Sequence, residues 1–193
     1  MKTAISNKMI KGEVMHNSDI SYTKAVNIPI ELYQSEKGRY FIGYADNLSF
    51  GENKSTWARL YNPCHSGVNL HVNVWTVTDI SEAPFRAQFW FNSDIKGIPD
   101  EWAVTPSNTA LRPLPEPKIK LQSQSNVDYA PIGGIKAFVR RGEPGTTLVE
   151  TENGKLIFPP GGSFLVYLSL TDTPAIPASG RVAFGWWEEK IKC

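Results

Sequence analysis

Val68-Asn69-Leu70-His71-Val72-Asn73-Val74 sets apolar against polar side chains in strict alternation. In an extended chain successive side chains point to opposite faces. Val68, Leu70, Val72 and Val74 therefore share one face, and Asn69, His71 and Asn73 the other. A helix would scatter these valines around its circumference, so the stretch reads as a half-buried β-strand. The same period recurs in residues 85–91, where Phe85, Ala87, Phe89 and Phe91 oppose Arg86, Gln88 and Trp90. It recurs again in residues 163–170 (Phe164, Val166, Leu168, Leu170) and in residues 181–187 (Val182, Phe184, Trp186).

Weaker strand patterns occupy residues 39–44, 57–61, 118–121, 135–139, 146–150 and 155–158. The last two flank Glu152-Asn153-Gly154, and Asn-Gly suits a two-residue hairpin turn because both positions need positive φ. Fourteen prolines and fifteen glycines break the chain at short intervals and leave little room for ordinary helices. About eight to ten short strands with frequent turns predict an all-β fold, an antiparallel β-sandwich of the jelly-roll kind. Pro106, Pro113, Pro115 and Pro117 mark an extended connection crossing between the sheets.

Residues 37–193 are assigned to this sandwich and residues 1–36 to an extended N-terminal arm. Within the arm, Val26, Ile28, Ile30 and Leu32 alternate with Asn27, Pro29 and Glu31, a strand pattern broken by proline and suited to a sheet edge. Two readings stay open: a first strand pairing within its own domain, or an arm that joins a neighbouring subunit's sheet.

The 193-residue chain carries 20 basic and 19 acidic residues, a net charge of +1, and its basic residues are scattered. A nucleic-acid partner is not expected from that pattern. With no run of about 18 apolar residues, a membrane span is not expected either. The start, with Lys2 but no apolar stretch behind it, does not read as a secretory signal peptide. Synthesis in the cytoplasm is expected, with any surface location reached by cell lysis, a non-classical route or assembly inside a mother cell.

No catalytic constellation is legible, and the chain is not read as an enzyme. Cys64, His65 and His71 match no zinc spacing, and adjacent Cys64 and His65 point apart on an extended backbone. No phosphate-binding glycine motif occurs, and neither a metal nor a cofactor is expected. Cys64 and Cys193 are the two cysteines, read as free thiols, as one bridge between themselves, or as candidates for disulfides between subunits. Six tryptophans are many for this length. Trp75 and Trp90 oppose their strands' apolar faces, so these two and Trp187 are candidates for core or interface packing, or for a sugar-stacking platform.

The run Trp57-Ala58-Arg59-Leu60-Tyr61-Asn62-Pro63, followed by Ser66-Gly67-Val68-Asn69-Leu70 and the closing Phe184-Gly185-Trp186-Trp187-Glu188, resembles small uncharacterised proteins of spore-forming Firmicutes. That resemblance implies no activity. In size, strand content and N-terminal extension the chain is more loosely similar to the jelly-roll subunits of endospore appendages. There the extension docks into the next subunit and cysteines staple the fibre; here residues 1–36 hold no cysteine, so a staple would need Cys64 or Cys193. The expectation is a structural subunit that polymerises with itself through its arm and sheet edges, on a bacterial surface or spore. The alternative is a carbohydrate-binding module using surface tryptophans.

Overall fold

The computed structural model describes residues 27–170 and 172–191. In chain order these form α1 (Ile30–Glu36), β1 (Tyr40–Gly51), β2 (Ser55–Tyr61), β3 (Val68–Asp79), β4 (Phe85–Phe91), β5 (Asp100–Trp102), β6 (Val104–Pro106), β7 (Lys120–Val127), β8 (Ile135–Gly142), β9 (Thr147–Phe158), β10 (Ser163–Ser169) and β11 (Pro177–Lys190). One sheet, hereafter sheet A, runs β6-β1-β11-β3-β9; the other, sheet B, runs β5-β7-β2-β10-β4-β8. Every pairing is antiparallel.

The pairing is nested: β1 with β11, β2 with β10, β3 with β9 and β4 with β8. A long antiparallel ribbon rolled on itself gives this order, so the expected jelly-roll sandwich is the fold. Strands β5 to β7 lie between β4 and β8 in sequence and widen both sheets on the β1/β2 side. The Pro-rich stretch carries the chain from β6 in sheet A to β7 in sheet B, as its composition predicted.

Between the sheets lie Phe41, Leu60, Val72, Trp75, Phe89, Phe164, Leu168, Val182 and Trp186, all buried. The aromatic rings interlock, with Trp75 and Phe89 centroids 4.3 Å apart and Phe89 and Phe138 4.4 Å apart. Glu188 enters this core at the end of β11. Its carboxylate accepts the backbone N–H of Lys118 at 2.9 Å and of Ile119 at 3.0 Å, tying the Pro-rich crossing to sheet A.

Three local expectations are corrected. Ile30 and Leu32 lie in a helix and not in an edge strand; Ile28 precedes it without regular pairing, and Val26 lies outside the described residues. Pro29 is the N-cap, its carbonyl accepting the Tyr33 N–H at 3.1 Å, and Glu31 sits favourably in the first turn. It ends in a Schellman motif, with Gly38 at φ +67°, its N–H on Ser35 O, and Arg39 N–H on Gln34 O.

The alternation of residues 68–74 breaks inside β3. Gly185 faces Val74 but Trp186 faces Val72, so Asn73 is an extra residue, a bulge that inverts every later side chain. Val74 therefore turns outward, and Trp75, read as opposite the strand's apolar set, joins that set in the core at 1% exposure.

Asn153 and Gly154 do take positive φ, 51° and 71°, but they make no hairpin. Both flanks pair with β3 in one direction, Thr151 with Val74 and Leu156 with Val72, so the turn is a bulge within β9. A Cβ at Gly154 would collide with the Trp187 ring.

Candidate interaction surface

Because Asn73 inverts β3, the outer face of sheet A carries Val74 and Thr76 beside Ala183 and Gly185 of β11, and Ile42 and Tyr44 of β1. The register places Ile42 opposite Gly185 and Tyr44 opposite Ala183. Small residues on the central strand keep the floor low, and the larger side chains on both neighbours form walls. The result is an open apolar cleft of about 450 Å³, closed on one side by Ala103 and Thr105 around β6. Tyr44 in its wall is 55% exposed. Gly185 is required there, since a Cβ would come within 2.5 Å of the Tyr40 hydroxyl and 2.8 Å of Val74.

At one end of the cleft the Tyr40 hydroxyl accepts the Asn73 side-chain N–H at 2.8 Å. Burial pushes the Tyr40 pKa up, and the Glu31 carboxylate at the start of α1 adds to the rise against the Asn73 hydrogen bond. At the Tyr44 side, Arg181 makes a two-pronged pair with Asp46 at 2.9 and 2.8 Å and lies 5.8 Å from the Tyr44 ring. The Arg181 hydrogen bond holds the Asp46 carboxyl below its ordinary value.

Four strands end the two sheets; β5 and β6 have three residues each, and β8 and β9 are longer. Among the described residues β8 pairs with β4 alone and β9 with β3 alone, and each is a long strand. Ile135 on β8 is 66% exposed and Val149 on β9 is 60% exposed.

The other residues singled out from the sequence fall as follows. Trp75 donates its indole N–H to Glu152 at 3.1 Å inside the fold. Trp187 is buried too, its ring stacked on His71 with centroids 5.2 Å apart, while His71 Nδ1 lies 3.2 Å from the Gly154 carbonyl. Of the two readings for these rings, Trp75 and Trp187 take core packing and present no free ring for a sugar. Trp90 is half-buried, with Lys136 Nζ 5.3 Å from its ring. Cys64 is an exposed free thiol after β2, 3.9 Å from the Tyr61 hydroxyl; Cys193 lies outside the described residues.

Ile28, Ile30 and Leu32 are exposed, as is Tyr33, which sequence reading passed over. The cleft was not foreseen either, and its signal was the small outward pair Ala183 and Gly185 on a strand of large residues. Among the described residues no group of three or more His, Cys, Asp or Glu side chains is placed to hold a metal ion. No described helix is long and apolar enough to cross a membrane.

Residues 11–193 match the model of a family of unknown function, DUF6143. The chain belongs to that family. Neither the curated proteins nor the solved structures provide a match. This DUF6143 member presents an apolar cleft, a helix with exposed apolar side chains and two long edge strands.

Proposed function

We propose that this protein is a structural subunit that assembles with copies of itself, through its N-terminal region and its sheet edges. The observation that carries the reading is the pair of open edges β8 and β9. Unpaired strands present a row of backbone N–H and C=O groups that another chain can complete. Both are longer than the three-residue edge strands β5 and β6, and they display Ile135, Val139, Val149 and Ile157 to solvent. Lys136 and Arg140 on β8 and Glu150 on β9 form no ion pair among the described residues, so one edge offers cations and the other a carboxylate. That complementarity favours β8 of one copy meeting β9 of another. The resemblance to proteins of spore-forming bacteria makes a spore or cell surface the proposed location.

The alternative, a carbohydrate-binding module, keeps Trp90 as its one partly exposed ring among the three proposed, since Trp75 and Trp187 are enclosed. It is the weaker reading.

The test is negative-stain microscopy of purified protein beside Ile135→Lys and Val149→Lys variants. Ordered assemblies in the parent, lost when either edge receives a lysine, support the reading. A featureless field for the parent, with retention on a polysaccharide gel, supports the alternative.

A further inference from the structure

On the outer face of sheet B one guanidinium is taken almost out of water with no carboxylate against it. Arg59 is 8% exposed. Its Nε donates to Gln122 Oε1 at 2.9 Å, and its Cζ lies 4.6 Å from the Tyr61 ring and 5.7 Å from the Trp57 ring. These contacts use one edge of the guanidinium and flank it with aromatic carbon. Neither Nη nitrogen donates to a described residue, and neither is sealed from solvent. A buried arginine is ordinarily paired, because removing its charge from water is costly.

The neighbouring carboxylates do not supply the partner. Glu101 accepts from Lys120 Nζ at 2.8 Å and from Gln122 Nε2 at 3.3 Å, so it meets Arg59 only through the Gln122 amide. Asp94, exposed on the loop after β4, acts on Arg59 through space. Among the described residues neither Arg59 nor Asp94 forms an ion pair. The strand holds the arginine in place: Trp57, Arg59 and Tyr61 alternate onto one face of β2, where Arg59 stands opposite Gln122 of β7 and Leu165 of β10. Trp57 and Leu165 are buried, so the way in lies beside half-buried Tyr61 and exposed Cys64.

We infer that the Nη1 and Nη2 end of Arg59 receives the carboxylate group of a ligand. The planar fork matches the two oxygens of a carboxylate, and aromatic walls that keep water away strengthen both hydrogen bonds. Asp94 sets the charge of the ligand group: a single negative charge fits beside it, whereas a phosphate dianion meets stronger like-charge repulsion. Burial and the Cys64 hydrogen bond push the Tyr61 pKa up, so at neutral pH the entrance carries no second anion from that hydroxyl. The site shares no residue with the sheet A cleft or with edges β8 and β9. It goes beyond the self-assembly reading and does not depend on it.

The experiment follows the arginine Nε–H resonances of the full chain as sodium acetate is added, with sodium chloride and sodium phosphate at matched ionic strength as controls. One arginine resonance is expected to shift and saturate with acetate, and Arg59→Lys, which keeps the charge and loses the fork, is expected to abolish the response. Two further variants keep the test sound if that one fails to fold. Asp94→Asn, an exposed change, removes the nearby negative charge and should tighten acetate binding. Gln122→Glu sets a carboxylate against Nε from within the fold and should weaken acetate binding at least about tenfold. Sedimentation velocity with and without acetate separates the sources. A boundary that acetate leaves unchanged supports a small carboxylate molecule, and an oligomer that acetate dissolves supports a carboxylate from a second copy. The absence of a saturable shift, an equal response to chloride, tighter binding of phosphate than of acetate, or an Asp94→Asn chain that binds as the parent does overturns the inference.

Discussion

The two outer faces of the sandwich differ in what covers them. On sheet B, Trp57, Leu165 and Tyr167 point away from the main core, yet all three are buried with Val127 beneath Ile95 and Tyr129. The Trp57 indole N–H donates to the Tyr129 hydroxyl at 3.4 Å, and the Tyr167 hydroxyl donates to the Tyr129 carbonyl at 3.2 Å. Beside them Arg59 donates from Nε to Gln122 at 2.9 Å and lies 4.6 Å from the Tyr61 ring. Burial lowers the Arg59 pKa, the mark of a cation taken into a second core. On sheet A, the corresponding face carries Ile42, Tyr44, Val74 and Ala183, and no described segment lies over it. An apolar outer face is therefore no sign of a ligand in itself. On sheet B the loops after β4 and β7 supply the cover; on sheet A no described segment does.

The largest expected effect falls on the covered face. Trp57→Ala removes the centre of the second core and should cost about 3–5 kcal/mol of stability, read by chemical denaturation. A loss below about 1 kcal/mol would mean that the loops do not pack on sheet B as described. Tyr44→Ala on the bare face removes a ring of similar chemistry and should cost far less, within about 1 kcal/mol.

Glu188 tests a link between the faces, since it ties the crossing into sheet B to the last strand of sheet A. Glu188→Ala strands the buried N–H of Ile119 and should cost about 2 kcal/mol. Its pH dependence has a definite sign. Burial holds the Glu188 carboxyl above its ordinary value of 4.5, against the Ile119, Lys118 and Trp186 hydrogen bonds. The folded state therefore keeps the proton to higher pH than the unfolded state does. This group's contribution is fully present below the unfolded value and is lost as pH rises through the folded one. The stability of the parent relative to Glu188→Gln should thus decline from pH 4 to pH 7. A difference that grows with pH would show that the carboxylate is the better-held form.

Strand identity was legible where the ladder is regular. In β4 and β10 the inward set Phe85, Ala87, Phe89, Phe164, Val166 and Leu168 follows period two without interruption. It failed in β3 because one inserted residue, Asn73, reverses the faces, and nothing in Val72-Asn73-Val74 distinguishes a bulge from continued alternation. Turn chemistry was legible at Asn153-Gly154, but positive φ serves a bulge as well as a hairpin, and pairing to β3 made the choice. The helix had signals in Pro29 and Lys37-Gly38, overridden by the alternation of Ile28, Ile30 and Leu32. The bare cleft was hidden because it depends on which residues of three strands become neighbours, and that is decided by the bulge.

The smallest effect on folding should come from Thr76→Lys. On an outer face over which no described segment lies, the substitution should leave stability within about 0.5 kcal/mol. A large loss of stability there would mean that the face is already buried in the free chain.

The central claim, that the bare surfaces exist to be covered by other copies, is tested most directly by sedimentation velocity of the full chain over a wide concentration range, at fixed salt. The account predicts a weight-average mass that rises with concentration above the 21.5 kDa of one chain, leading to species of several subunits. A single 21.5 kDa boundary at every concentration would contradict it.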